Sequence, residues 1–113
     1  MCMEISKEEI IRINRCFWGG LRNDSSLDFA IDIQQNKKIG EYKKLAYLLR
    51  AILVDHPFSD GNKRTAMYLA LKFTEGSNKQ LDRDLLLHHI ISIAKNNIIE
   101  LKNIEYRLKN AIK

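Results

Sequence analysis

The chain has 113 residues, 45% of them hydrophobic, and this length suits one domain with a single core. Its formal net charge of +5 allows an acidic partner, but the basic residues are scattered through amphipathic segments, so nucleic-acid binding is only a minor hypothesis. No apolar stretch has the length of a membrane span, and residues 1–9 lack the apolar core of a signal peptide, so we expect a cytoplasmic protein without a membrane partner.

The first predicted element is a helix that begins at a capping box. Ser6 opens the sequence Ser-Lys-Glu-Glu, and an apolar face then continues to Phe17 before the glycine pair 19–20 ends the helix. Cys16 falls on the core-facing side of this helix, which predicts a free, buried thiol. The other cysteine is Cys2, and two cysteines without metal-ligand spacing predict neither a disulfide nor a metal site.

Residues 21–40 predict a loop that contains a short helix. Polar residues at 23–26 precede an amphipathic piece, Leu27 to Ile33, and a second polar stretch follows it. Leucine and isoleucine then recur at helical spacing, which predicts a helix from Tyr42 to Val54.

A proline interrupts the helical pattern after this segment. Pro57 disfavours helical angles at His56 and lacks an amide hydrogen. The preceding helix should therefore end near Asp55.

A new helix is expected to begin a few residues later. Asp60 and Gly61 predict a turn, and Asn62 is the expected N-cap of a helix that continues through Phe73. Gly76 is the expected stop.

Two further helices are predicted in the C-terminal third. Leu85 to Ala94 is apolar on several sides and predicts a largely buried helix, with Asp82 or Asp84 near its N-terminus. Helical spacing resumes at 101–111. The adjacent histidines at 88–89 point to different helix faces, so we expect structural or surface roles for them.

The stretch 56–64 holds what a phosphate-handling site needs. A triphosphate requires cations and backbone donors, its metal ion requires a hard oxygen ligand, and an attacking hydroxyl requires a base. Each residue alone has an ordinary structural explanation, and only the combination is specific. The candidate residues are His56, Asp60, Gly61, Asn62, Lys63 and Arg64, with Phe58 as a buried anchor of the loop.

The run His-Pro-Phe-Ser-Asp-Gly-Asn-Lys-Arg-Thr-Ala at 56–66 closely resembles the signature of the Fic/Doc superfamily, and specifically its death-on-curing (Doc) toxin branch. Weaker similarity extends over roughly Ser6 to Ala94. The resemblance implies an all-α fold, a compact single-domain helical bundle spanning 1–113, with the motif loop and helix at 56–75.

The resemblance also implies a reaction, which is transfer of part of a nucleoside triphosphate to a protein hydroxyl. His56 would accept the proton of that hydroxyl, and Asp60 would hold Mg²⁺ against the phosphates of ATP. The other implied roles are an anion-binding nest at Gly61 and Asn62, charge neutralisation by Lys63 and Arg64, and anchoring of the loop by Phe58.

Two departures from the family pattern favour a Doc-like reaction. Lys63 stands where adenylylating Fic enzymes usually carry glycine, and Met67 replaces the second arginine of the longer Fic motif. Doc-like enzymes resemble kinases in outcome, with a threonine of translation elongation factor Tu as their best-known acceptor. The alternatives are AMP transfer of the Fic type and a degenerate module that binds only a nucleotide or a partner.

Regulation by a separate antitoxin chain is the expectation from the same resemblance. Self-inhibited Fic proteins carry Ser or Thr, three residues, then Glu followed by Gly or Asn. The single Glu-Gly pair here is Glu75-Gly76, and Leu71 occupies the Ser/Thr position. The known internal inhibitory motif is therefore absent from the sequence.

Overall fold

Six helices make up the regular structure of residues 5–113, the part of the chain that the computed structural model describes. Within that range there are no strands but two isolated β-bridges, so the predicted all-α class is confirmed. None of these helices is both long and apolar enough to cross a membrane. The helices are α1 (Lys7–Arg15), α2 (Ser25–Gln34), α3 (Glu41–Val54), α4 (Asn62–Gly76), α5 (Arg83–Asn96) and α6 (Leu101–Ala111).

Helix α3 lies at the centre of the bundle. It packs against α2, α4, α5 and α6, and eight of its 14 residues are buried. Leu45, Leu48, Leu49, Ile52 and Leu53 repeat at helical spacing and are all inaccessible to solvent, as the sequence predicts. The end of this central helix leads directly into the loop that carries His56.

Helix α1 begins at the predicted capping box but ends earlier than expected. The Ser6 hydroxyl accepts a hydrogen bond from the Glu9 amide at 3.2 Å. At the other end, the amides of Phe17 and Gly19 donate to the Asn14 carbonyl at 2.9 and 3.2 Å. These bonds close the helix at Arg15, so the chain turns before it reaches the glycine pair.

The structure also corrects the prediction for Cys16. The residue directly follows α1 and is exposed, so the predicted buried thiol is wrong. Its backbone is still helical, with φ of −64° and ψ of −18°, but Ile10 and Asn14 form the buried face of α1, and Cys16 lies about 200° of helix rotation beyond Asn14. The other cysteine, Cys2, lies outside the described residues.

Helix α5 is buried on one face only, which corrects the prediction of a largely buried helix. Leu86, Ile90 and Ile93 are inaccessible, whereas Leu87 and Ile91 are 46% and 44% exposed. The helix packs against α3, α4 and α6 from one side, so apolar residues of the same run also fall on its outer face.

The loop before α5 meets the C-terminus of the chain. The Asp82 carboxylate accepts from the Leu85 amide at 3.1 Å, so Asp82 rather than Asp84 caps the helix. Next to it, Leu81 and Ile112 form an isolated antiparallel bridge. This bridge fixes the end of α6 against the start of α5.

His89 gives the fold a predicted dependence on pH. Arg107 Nη1 lies 3.0 Å from His89 Nδ1, and the buried Nε2 has no partner among the described residues. Burial, followed by the charges of Arg107 and His88, lowers the pKa of His89 below its usual 6.5. Protonation of His89 is therefore more favourable in the unfolded chain than in the folded one. The contribution of neutral His89 to the free energy of unfolding is complete above pH 6.5 and decreases as the pH falls below 6.5.

We expect the free energy of unfolding, measured in urea at a series of pH values, to decrease from pH 7 to pH 5. His89→Gln should flatten this decrease. His88→Gln is the comparison variant: His88 is exposed, and its charge is the smallest of the three causes of the lowered His89 pKa, so the slope should change much less than in His89→Gln. Equal slopes in wild type and His89→Gln would assign the pH dependence to other groups.

Candidate functional site

The loop between α3 and α4 contains the predicted phosphate-handling residues. Helix α3 ends at Val54, three residues before Pro57, in agreement with the prediction from the proline. His56 then adopts a left-handed backbone conformation with φ of 49°, which non-glycine residues seldom hold without support. Arg22 Nη2 supplies support by donating to the His56 carbonyl at 3.2 Å.

The centre of the loop is fixed by a pair of hydrogen bonds between Phe58 and Asn62. The Phe58 ring is fully buried, as predicted for an anchor. Its amide donates to Asn62 Oδ1 at 3.3 Å, and Asn62 Nδ2 donates back to its carbonyl at 3.0 Å. The Asn62 side chain therefore shapes the loop.

The N-cap of α4 is Gly61, which corrects the assignment of that position to Asn62. Gly61 has a left-handed φ of 74°, and Asn62 is the first helical residue. A side chain at Gly61 would be strained, and its Cβ would also lie 2.9 Å from Phe17 Cβ. Because Asn62 is occupied with Phe58, no side chain among the described residues caps the first amides of α4. These amides remain available as donors at the positive end of the helix dipole.

The candidate residues surround one polar cleft of about 320 Å³. Lys63 and Arg64 are exposed beside it, and within residues 5–113 neither forms an ion pair with a carboxylate. Their charges are thus available to an anion in the cleft. The residues that line the cleft are His56, Ser59, Asp60, Gly61, Asn62, Lys63 and Arg64.

Asp60 is the carboxylate of this cleft. Its Oδ1 accepts from the Gly61 amide at 2.8 Å, which directs the carboxylate towards the start of α4, while the side chain stays exposed. In the part of the chain that the structure describes, no three His, Cys, Asp or Glu residues gather into a metal cluster. A single exposed carboxylate beside this cleft would suit Mg²⁺, which commonly binds through one or two carboxylates, phosphate oxygens and water.

Comparison with known protein families identifies the chain. Residues 4–74 match the model of the Fic/DOC family, which covers more than half of the sequence and includes the whole cleft. The chain belongs to the Fic/DOC family. No curated protein and no solved structure gave a significant match. Fic/DOC proteins generally transfer nucleotide-derived groups to proteins and typically use ATP.

The match to the family model ends inside α4. We expected weaker similarity to extend further, as far as Ala94. The Fic/DOC match therefore includes α1, α2, α3 and most of α4. Helices α5 and α6 lie beyond it and complete the bundle around α3.

Asn14 is a site-supporting residue that the sequence analysis of this Fic/DOC chain missed. It lies on α1, is fully buried, and its Nδ2 donates to the Asp60 carbonyl at 2.8 Å and to Thr65 Oγ1 at 3.1 Å. One side-chain amide thereby joins α1 to the residues on both sides of the α4 N-terminus. The sequence feature that could have indicated this role is that Asn14 is a polar residue on the apolar face between Ile10 and Phe17.

The glycine pair is a second missed support of the Fic/DOC cleft. A Cβ at Gly19 would overlap the Asp60 carbonyl and the Asn14 side chain, so this position requires close approach of two backbones. Gly20 pairs with Ser59: the Ser59 amide donates to the Gly20 carbonyl at 2.9 Å, and the Gly20 amide donates to Ser59 Oγ at 3.2 Å. The residues predicted only to end a helix also hold the motif loop in place.

Proposed function

We propose that this Fic/DOC protein transfers the terminal phosphoryl group of ATP to a hydroxyl group of a target protein. The observation that carries the proposal is the cleft itself. It joins a histidine, an exposed carboxylate, two cations without an ion pair among the described residues, and the N-terminus of α4, which no described side chain caps, around a volume of about 320 Å³. A base, an anion cradle and a position for a metal are what phosphoryl transfer requires.

In this reaction the hydroxyl oxygen of the acceptor forms a bond to the γ-phosphorus. The bond from that phosphorus to the bridging oxygen breaks, and ADP leaves. The hydroxyl proton passes to His56. Amides at the start of α4, together with Lys63 and Arg64, bind the phosphate oxygens and stabilise their charge. Bound Mg²⁺, held by Asp60, would neutralise phosphate charge.

Phosphoryl transfer is preferred over AMP transfer because of Lys63 and Met67. Lys63 lines the cleft, so a cation occupies the place where adenylylating relatives usually carry glycine. Met67 is partly buried against the core and does not line the cleft, so the second arginine of the longer Fic motif has no counterpart at this position. Both features favour the shorter, Doc-like phosphate site.

The same Doc-like assignment supports three proposals about biological setting. The acceptor is a protein resembling elongation factor Tu, the protein acts in the cytoplasm, and a separate antitoxin chain restrains it. The proposal of an antitoxin follows from Leu71, which occupies the Ser/Thr position of the known internal inhibitory motif.

The experiment that tests this function uses ATP labelled separately at the α- and γ-phosphates. The protein is incubated with Mg²⁺ and elongation factor Tu, or with a cell extract, and the acceptor is analysed by mass spectrometry. We expect label from the γ-position only and a mass gain of one phosphoryl group. Label from the α-position with the mass gain of AMP would replace the proposal by AMP transfer. ATP binding without any labelled acceptor in the extract would favour the degenerate module.

A further inference from the structure

Trp18 stands out because the fold makes no use of its indole. The side chain is 86% exposed, although tryptophan has a large apolar surface to bury. Its backbone is left-handed, with φ of 67°, a conformation that bulky residues rarely adopt. Strained residues of this kind concentrate at functional sites.

The residues on both sides of Trp18 fix it beside the phosphate cradle. Phe17 packs closely against Gly61, since a Cβ there would lie 2.9 Å from Phe17 Cβ and 3.0 Å from its carbonyl oxygen. Gly19 packs against the Asp60 carbonyl so tightly that a Cβ would overlap it. Trp18 is one residue from each of these contacts, so its backbone lies next to the loop that lines the cleft.

The cleft itself offers phosphate chemistry but little surface for a nucleobase. Its lining residues are polar, charged or glycine, and the His56 imidazole is the one aromatic ring among the described residues that line it. Phe58, the aromatic residue of the motif, is fully buried and unavailable. In the proposed reaction His56 accepts a proton and Arg64 binds phosphate, so a nucleobase attached to phosphates in this cleft finds its π-face contact outside the cleft.

We propose that Trp18 is the platform on which the base of the nucleotide co-substrate stacks. Stacking on an exposed aromatic side chain is a common way to bind a base, and it requires no hydrogen-bonding partner. This inference rests on the proposed function, because it takes the cleft as the triphosphate site. Trp18, in the turn after α1, would supply the surface that binds the nucleobase, whereas the rest of the site is built by the motif.

Tyr68 is the competing exposed aromatic on α4 and provides a matched control. It is 46% exposed and lies one turn after Arg64. Tyr68 lies six positions after Asn62, which corresponds to about 9 Å along the helix axis from the first amides of α4. Trp18 is instead flanked by residues that touch Asp60 and Gly61 directly.

The test uses the fact that Trp18 is the single tryptophan of the sequence, so intrinsic fluorescence reports on this residue. MgATP should quench the fluorescence, whereas Mg²⁺ with inorganic tripolyphosphate should bind, as measured by calorimetry, without comparable quenching. Trp18→Ala should raise the dissociation constant for ATP about tenfold or more while leaving that for tripolyphosphate nearly unchanged. Trp18→Phe should recover most of the affinity, and Tyr68→Ala should match wild type.

The outcomes separate this inference from the proposed function. If Trp18→Ala binds ATP as tightly as wild type, or if Tyr68→Ala has the larger effect, the stacking role is wrong and the transferase proposal stands. If ATP binding depends on Trp18 but no acceptor is labelled, the stacking role stands and the transferase proposal fails. If neither ATP nor tripolyphosphate binds, both are overturned.

Discussion

Replacing His56 by alanine is expected to lower the rate of transfer by about 100-fold to 10,000-fold, the usual contribution of a positioned base. The residue lines the cleft beside Asp60 and is partly buried. Its support of the loop comes through its carbonyl, which accepts from Arg22 and remains in the variant. We therefore expect ATP affinity and helical content, measured by calorimetry and circular dichroism, to stay near wild type.

A second variant separates the imidazole from the backbone conformation at this position. His56 has a left-handed backbone, which alanine tolerates poorly and asparagine tolerates better. His56→Asn should retain the loop and still lack a base, so its activity should be as low as that of His56→Ala. Substantial transfer by either folded variant would contradict the base assignment, and loss of helicity in both would make His56 a structural residue.

Gly19→Ala is expected to lower the free energy of unfolding by about 3 kcal/mol, at the upper end of ordinary overpacking effects. The added Cβ would overlap the Asp60 carbonyl, which is backbone and cannot rotate away, and the side chain of Asn14. Relief requires Asp60 to move, so the bond from Asn14 Nδ2 to its carbonyl is lost or lengthened. Urea unfolding should show the destabilisation, and transfer activity should fall with it.

Gly20→Ala is the matched control because it changes the adjacent residue in the same way. The nearest atom to a Cβ at Gly20 is Ser59 Oγ, at 4.0 Å, an ordinary contact distance. We expect a change within about 1 kcal/mol, because alanine also restricts the unfolded chain. Similar destabilisation by the two substitutions would show that close packing on Asp60 is not the cause.

The helices were predictable because their signals are local. The capping box at Ser6, the helical spacing that begins at Leu45 and the proline after His56 act within one or two turns of the chain. Each signal places a boundary within a few residues of the observed one. The candidate residues of the site were predictable for a similar reason, since they are consecutive and a single loop brings them together.

The wrong predictions have two causes: a local hydrogen bond that replaces the expected one, and contacts between distant segments. Asn62 was predicted to cap α4, but its side chain pairs with Phe58 and leaves the cap to Gly61. Asn14 acts on Asp60, which is 46 residues away in the sequence, and no periodic pattern reports such a contact. Cys16 was misplaced because Ile10 and Asn14 form the buried face of α1, and the helices packed against α1 decide which of its faces is buried.

The attachment of α1 links assembly of the cleft to the order in which the chain is made. Among the described helices, α1 packs against α4 and α2 but not against the central α3. Segments held by few contacts open at a lower free energy than the whole fold, so we expect α1 to open before α3, although Ile10 of α1 belongs to the buried core. Such an opening removes both hydrogen bonds of Asn14 from the cleft. During synthesis, α1 is made before residues 60–65, so Asn14 can form these hydrogen bonds only after those residues have been added. A shorter nascent chain therefore lacks the complete cleft.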